Sequence, residues 1–162
     1  MNSSEAIECL NGIRVCLNWK RAYAERWNVS HRTVSLIDEI RGLYIPWYRA
    51  NGVPCECAYR GATPVKVGQV ADDLDGWPHR SAAIHKYVCI YRMSPSPLRL
   101  MLPVYDLPRS ETLLLDGSHR AVALILADVS FEVALLSIQG PIDSNALPDL
   151  QHFKPVGNGA NL

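Results

Sequence analysis

Five consecutive residues, Asp116-Gly117-Ser118-His119-Arg120, combine side chains that can do chemistry. The apolar Leu113–Leu115 before them predicts a buried strand, and the apolar run after them predicts a helix. The first N–H groups of a helix have no partner inside it, and the helix dipole adds partial positive charge there. A hydroxyl, an imidazole and a guanidinium at that end predict a site for a phosphate or carboxylate.

A structural role is the alternative interpretation of these residues. Asp116 or Ser118 could simply cap the helix. However, His119 and Arg120 place two potential cations at the positive end of the helix dipole, which is unfavourable unless an anion compensates them. Asp116 or Asp106 could supply that charge from within the protein, and a bound phosphate could supply it from outside. A bound phosphate is the favoured explanation of the two cations.

The surrounding sequence predicts the elements that would position this turn. Apolar and other residues alternate over 98–105, as in a half-buried strand, and Pro103 places that strand at a sheet edge or a bulge. We expect a further strand at Thr112–Leu115, a largely buried helix at Gly117–Ala127, and a last strand at Phe131–Ile138 that is covered on both faces.

The remaining segments complete an expected α+β fold with a mixed sheet and packed helices. A helical N-terminal region is predicted over 1–61, a core over 62–140 and a loosely packed tail over 141–162. Within these, a first helix spans Cys9–Trp27, and Ser30 caps a second helix whose core-facing residues are Leu36, Ile37, Ile40 and Leu43. Strands are expected at Val65–Val70 and Tyr87–Met93, and a loop or short hairpin at Ala50–Gly61.

Composition limits the classes of partner. Sixteen basic residues balance sixteen acidic ones, so the chain as a whole does not attract nucleic acid or an anionic membrane. No apolar run approaches the roughly 20 residues that span a bilayer. Five cysteines without a paired rhythm favour reduced thiols and a cytoplasmic location. Cys55-Glu56-Cys57 lacks the second pair that a zinc site needs, and Trp77-Pro78-His79-Arg80 could line a pocket.

The stretch from Leu98 to Ile138 resembles the ParB/sulfiredoxin superfamily. In that superfamily a strand of the Pro-x-Val type leads through a turn to Asp-Gly-x-His-Arg at the start of a helix. This chain has Leu102-Pro103-Val104-Tyr105-Asp106, followed by Leu114-Leu115-Asp116-Gly117-Ser118-His119-Arg120-Ala121-Val122-Ala123. The match covers about a quarter of the chain and preserves the order of the elements.

The resemblance implies a nucleotide-phosphate site at Gly117–Arg120. His119 and Arg120 would hold the phosphates, the N–H groups of Gly117 and Ser118 would assist, and Asp116 would orient Mg²⁺ or a substrate. Ser118 stands where sulfiredoxins have cysteine, which argues against a strict sulfiredoxin. The related free serine kinases use an N-terminal acid as the base, for which Asp72, Asp73 and Asp75 are candidates by composition only; a solvated turn also accounts for them.

A second signal lies over residues 23–41. Tyr23–Val34 is similar to the junction of a helix-turn-helix, in which Ser30 opens a recognition helix and His31, Arg32 and Ser35 approach DNA. An ordinary helical hairpin packed on the sheet is the favoured explanation of the same residues. ParB proteins place such a module after the nucleotide motif rather than before it.

The resemblance, applied to this anion-binding turn, implies a phosphotransferase that uses ATP or another nucleoside triphosphate with Mg²⁺, acting as a small-molecule kinase, or else a nucleotide hydrolase. Asp116, His119 and Arg120 are the expected catalytic residues, and Gly117, Ser118, His119 and Arg120 the expected phosphate-binding residues; the sequence identifies no metal ligands. The alternatives are a nucleotide-switched DNA-binding regulator of ParB type and a non-catalytic anion-binding protein. We expect a small-molecule phosphate acceptor as partner and no membrane; DNA is the less favoured partner.

Overall fold

The computed structural model of the chain describes Leu10 and residues 16–154. The strands are β1 Asn28–Val34, β2 Tyr44–Ala50, β3 Val53–Cys55, β4 Thr63–Lys66, β5 Leu98–Asp106, β6 Thr112–Leu114 and β7 Phe131–Gln139. The α-helices are α1 Trp19–Ala24, α2 Ile37–Arg41, α3 Val67–Asp72, α4 Pro78–Arg92 and α5 Ser118–Ala127. Short 3-10 turns lie at Leu74–Gly76, Pro108–Ser110 and Pro148–His152.

The strands form a seven-stranded mixed sheet in the order β1-β7-β5-β6-β2-β3, with β4 paired to β2. The pairs β5/β7 and β2/β6 are parallel, and the other pairs are antiparallel. The expected α+β class with a mixed sheet is therefore confirmed. The strands predicted around the motif, the turn at Pro108 and the helix after Gly117 all lie close to their predicted positions.

Two hydrophobic cores lie on opposite faces of the sheet because side chains alternate along each strand. On one face, Leu102, Val104 and Leu135 pack against helices α3, α4 and α5. On the other face, Tyr105 and Ile138 pack with residues from both ends of the chain. The last strand is covered on both faces, as its apolar sequence predicts.

The expected loose tail is wrong for the described part of 141–154. Ala146, Leu147 and Leu150 are buried in the second core. The Asp143 carboxylate accepts the Ala146 N–H at 2.9 Å and pairs with Arg21 at 2.9 Å, which holds the tail against the N-terminal segment. Turns at Asn145 and Pro148 thus bring a few apolar side chains to the sheet.

The N-terminal region is not mainly helical, in contrast to the prediction for 1–61. The first helix is reduced to α1 within the described residues, and its predicted N-terminal part falls mostly outside them. Ser30 caps no helix, because it lies in β1 and pairs with Ser137 of β7. Leu36 does not face the core; 67% of its surface is exposed. This region supplies β1, β2 and β3 to the same sheet as the motif, and the hairpin expected near Ala50–Gly61 is β2–β3.

Two further expectations about strands need correction. Tyr87–Met93 lies mainly in α4, where Ile84, Val88 and Tyr91 are buried at helical spacing. The strand expected at Val65–Val70 ends at Lys66, and helix α3 begins at Val67.

Pro103 does not mark an edge strand, because β5 lies between β7 and β6. Its carbonyl accepts the Leu115 N–H at 2.9 Å, just past the last pair of the β5/β6 ladder, Val104 with Leu114. An N–H on residue 103 would point toward β6, as the carbonyl does. Because proline has no N–H, the β5/β6 ladder ends at this position. In the part of the chain described here, no helix is both long and apolar enough to cross a membrane.

Candidate functional site

The turn between β6 and α5 depends on Gly117. Its φ of 87° lies in the left-handed region that residues with a side chain rarely adopt. A Cβ on Gly117 would lie 2.7 Å from Leu102 Cδ2 and 2.9 Å from an Arg120 guanidinium nitrogen. The Asp116 carboxylate accepts the Gly117 N–H at 2.7 Å and so fixes the turn. This bond corrects one expectation, since the Gly117 N–H is already engaged by the protein.

The helix that follows presents free donors. Its first backbone bond runs from the Ala121 N–H to the Gly117 carbonyl at 2.8 Å. The N–H groups of Ser118, His119 and Arg120 find no acceptor among the described residues, and no side chain caps them. Free N–H groups and the helix dipole are the features on which the predicted anion site depends.

Arg120 folds back toward this end of the helix, as its approach to the Gly117 turn shows. It lies 3.6 Å from the Asp116 carboxylate, longer than the roughly 2.7–2.9 Å of a strong charge-assisted hydrogen bond. Asp106, the other candidate partner, instead accepts a bond from Gln139 at 2.8 Å. Arg120 is thus only loosely compensated and keeps donors for a ligand.

All five residues of the motif line one open cavity of about 480 Å³, here called the turn cavity. Its walls are Pro46, Trp47, Tyr87, Leu115, Asp116, Gly117, Ser118, His119 and Arg120. The structure therefore brings every predicted catalytic and phosphate-binding residue to one surface.

Trp47 is a wall of this cavity that the sequence did not reveal. Strand β2 runs parallel to β6, with Tyr44 opposite Leu113, so its continuation lies beside the turn after β6. The pairing of β2 with β4 shifts between Ile45 and Tyr48, and such an irregularity re-aims side chains. The Trp47 ring meets the His119 ring edge-on, with centroids 5.0 Å apart. No local pattern could indicate this contact, because it depends on strand order.

The surroundings of the His119 imidazole favour its neutral form. Partial burial lowers its pKa, the Arg80 charge lowers it further, and Asp116 opposes the shift. A neutral imidazole has one N–H donor and one acceptor nitrogen. At neutral pH His119 therefore offers hydrogen bonding or proton transfer, and the arginines supply the positive charge.

A second open cavity of about 490 Å³ adjoins the first and shares Pro46 and Trp47 with it. Its other walls are Tyr48, Pro54, Cys55, Glu56, Cys57, Trp77, Pro78, His79 and Arg80. The segment Trp77–Arg80 thus lines a pocket, as its sequence suggested. The Cys57 thiol lies 3.5 Å from His152 Nε2 and accepts a bond from the Gln151 amide at 3.2 Å.

The acidic residues considered as a base lie elsewhere. Asp72 pairs with Arg41 at 2.6 Å, and Asp73 pairs with Arg49 at 2.6 Å. Neither these residues nor Asp75 line either cavity. Their ion pairs tie α3 and the following turn to neighbouring elements, which is a structural role.

Residues 23–41 form neither the favoured helical hairpin nor the alternative helix-turn-helix, because a strand separates the two short helices. Ser30, His31 and Arg32 lie in β1, which is at the edge of the sheet and pairs with β7. No recognition helix therefore begins at Ser30. Arg32 is engaged by Glu39 at 2.8 Å.

Metal binding by protein side chains alone has no support in the described residues, which contain no cluster of three or more histidine, cysteine or acidic side chains suited to a metal ion. Asp116 is the carboxylate that lines the turn cavity. Mg²⁺ is often held by one or two carboxylates together with substrate phosphates, and Asp116 fits such a role.

A scan against protein-family models, a search of curated proteins and a search of solved structures each found no match to this chain.

Proposed function

We propose that the turn cavity binds the phosphates of ATP or another nucleoside triphosphate with Mg²⁺, and that the protein transfers a phosphoryl group to a small molecule or hydrolyses the nucleotide. One observation carries the proposal. Three free N–H groups at the start of α5 and the loosely paired Arg120 guanidinium border the same open cavity.

The chemistry of phosphoryl transfer matches what this cavity offers. Such transfer depends on positioning the phosphate and neutralising the charge on its oxygens, with little covalent work for the protein. The N–H groups of Ser118, His119 and Arg120 would hold phosphate oxygens, and the Arg120 guanidinium would stabilise developing charge. The neutral His119 would accept a proton or donate a hydrogen bond, and Asp116 would contact Mg²⁺ or the acceptor.

The similarity to the ParB/sulfiredoxin superfamily supports the same proposal. Strands β5 and β6, helix α5 and strand β7 follow one another in the order that the resemblance implies. A cytoplasmic location, which the proposal includes, would give access to nucleoside triphosphates. A small-molecule acceptor is favoured over DNA because the expected recognition helix is a strand and the chain has no net charge.

Phosphorus NMR tests the proposal directly. Purified protein with Mg²⁺ is incubated with ATP, CTP and GTP, with and without pools of free amino acids and small metabolites. We expect consumption of a nucleotide, with a new phosphoester signal for a kinase and none for a hydrolase. Arg120→Ala removes a charge-assisted bond worth about 1.5–3 kcal/mol, so turnover should fall by about 10- to 150-fold.

Arg99→Ala is the matched control, because Arg99 pairs with Glu132 at 3.0 Å and lines neither cavity. This variant should retain the wild-type rate. Nucleotide that remains intact with the wild-type protein in every sample would contradict the enzymatic proposal and favour a non-catalytic anion-binding protein. Equal turnover by wild type and a folded Arg120→Ala variant would contradict the assigned site.

A further inference from the structure

We propose that Arg80 is a second anion-binding residue and that the ligand carries at least two linked anionic groups, such as a diphosphate or triphosphate chain. One group would lie at the start of α5, and the next would lie beside Arg80 in the second cavity. This inference rests on the proposed phosphate site and extends it to the class of ligand.

The position of Arg80 connects the two cavities. It lies in the first turn of α4, and its guanidinium carbon is 5.0 Å from the centre of the Trp47 ring. The same ring contacts His119 and forms a wall of both cavities. Trp47 thus contacts both Arg80 and His119, so an anionic chain bound at the α5 N–H groups would approach Arg80 by extending past this ring.

The charge of Arg80 is available to a ligand. Arg80 is one of five arginines among the eleven in the described residues that form no ion pair, and it is the one that lines a cavity next to the turn cavity. No described carboxylate pairs with Arg80, and its contact is the face of Trp47. Stacking on an aromatic ring orients a guanidinium while its N–H donors stay free at the edge of the plane.

The balance of charge around the turn cavity supports the same conclusion. Asp116 partly offsets Arg120, and His119 is neutral, so the uncompensated positive charge comes largely from Arg80. Trp47 lies against both Arg80 and His119, and the Arg80 charge accordingly contributes, after burial, to the lowered pKa of His119. Glu56 also lines the second cavity but forms no ion pair with Arg80. A second anionic group beside Arg80 would meet an uncompensated cation.

Calorimetric titration with orthophosphate, pyrophosphate and ADP at constant ionic strength tests this inference. The wild-type protein should bind pyrophosphate at least about tenfold more tightly than orthophosphate, because one further charge-assisted contact forms. Arg80→Ala should remove most of that preference while orthophosphate binding changes little, and Arg80→Lys should restore part of it. Tighter binding of ADP than of pyrophosphate would identify a nucleotide; equal binding would identify a bare polyphosphate chain, and both support the inference.

The outcomes separate this inference from the proposed function. If pyrophosphate and ADP bind to wild type and to Arg80→Ala equally, and Arg120→Ala loses them, the phosphate site stands and the role of Arg80 is wrong. If wild type binds none of the three probes, both proposals are wrong. Proton NMR of His119 checks that the variant acts locally, since its pKa should rise when the Arg80 charge is removed.

Discussion

Replacement of Gly117 by valine is expected to destabilise the protein by about 2–5 kcal/mol and to abolish anion binding. The left-handed φ of 87° costs energy for any residue with a side chain, and the new side chain would overlap Leu102 and the Arg120 guanidinium. Relief of that overlap must move Arg120 away from the start of α5. Urea unfolding gives the loss of stability, and titration with pyrophosphate gives the loss of the site.

Gly61→Val separates the two causes. Gly61 has a similar φ of 82°, but a Cβ there meets nothing within 4 Å. The unfolding free energy of this control should fall by only about 1–2 kcal/mol, the cost of the left-handed backbone conformation, and its phosphate site should remain. An equal loss of stability in the two variants, with binding retained in both, would show that the Gly117 turn is not packed as described.

Leu150→Ala is expected to cost about 2–5 kcal/mol of unfolding free energy. Leu150 is fully buried in the second core, and its removal leaves a cavity beneath the sheet. Leu36→Ala makes the same chemical change at a residue that is 67% exposed, so it should alter stability by less than about 0.5 kcal/mol.

The stability losses of these two leucine variants test the observed fold against the sequence-based expectation. The sequence pattern places Leu36 in a core-facing helix and Leu150 in a loose tail, which would give the opposite ranking. Urea unfolding of both variants decides between them. A larger loss for Leu36→Ala would contradict the packing of the C-terminal tail on the sheet.

The motif region was predictable because its signals are local. The alternation of β5, the acidic glycine turn and the apolar helix lie within 30 residues of one another, and each pattern matches its own period. The left-handed conformation of Gly117 and the donors of Ser118–Arg120 follow from the same short stretch. This is why the core of the candidate site could be located from the sequence.

The remaining features depend on long-range packing. Strand β1 is an edge strand with mostly exposed side chains, so it lacks the apolar alternation that identifies a strand. Trp47 and Arg80 come from β2 and α4, and they reach His119 only through the parallel pairing of β2 with β6 and the packing of α4 on α5. No local pattern encodes those neighbours, so the sequence could suggest a pocket at Trp77–Arg80 but not that it adjoins the turn cavity.

Backbone amide NMR during a pyrophosphate titration tests the central claim most directly. The amide signals of Ser118, His119 and Arg120 should shift the most, because their N–H groups are free at the start of α5. The amides of Gly68 and Gln69, in the first turn of α3 and outside both cavities, should stay in place. Unmoved signals at Ser118–Arg120 under saturating pyrophosphate, or equal shifts at both helices, would contradict a phosphate site at this turn.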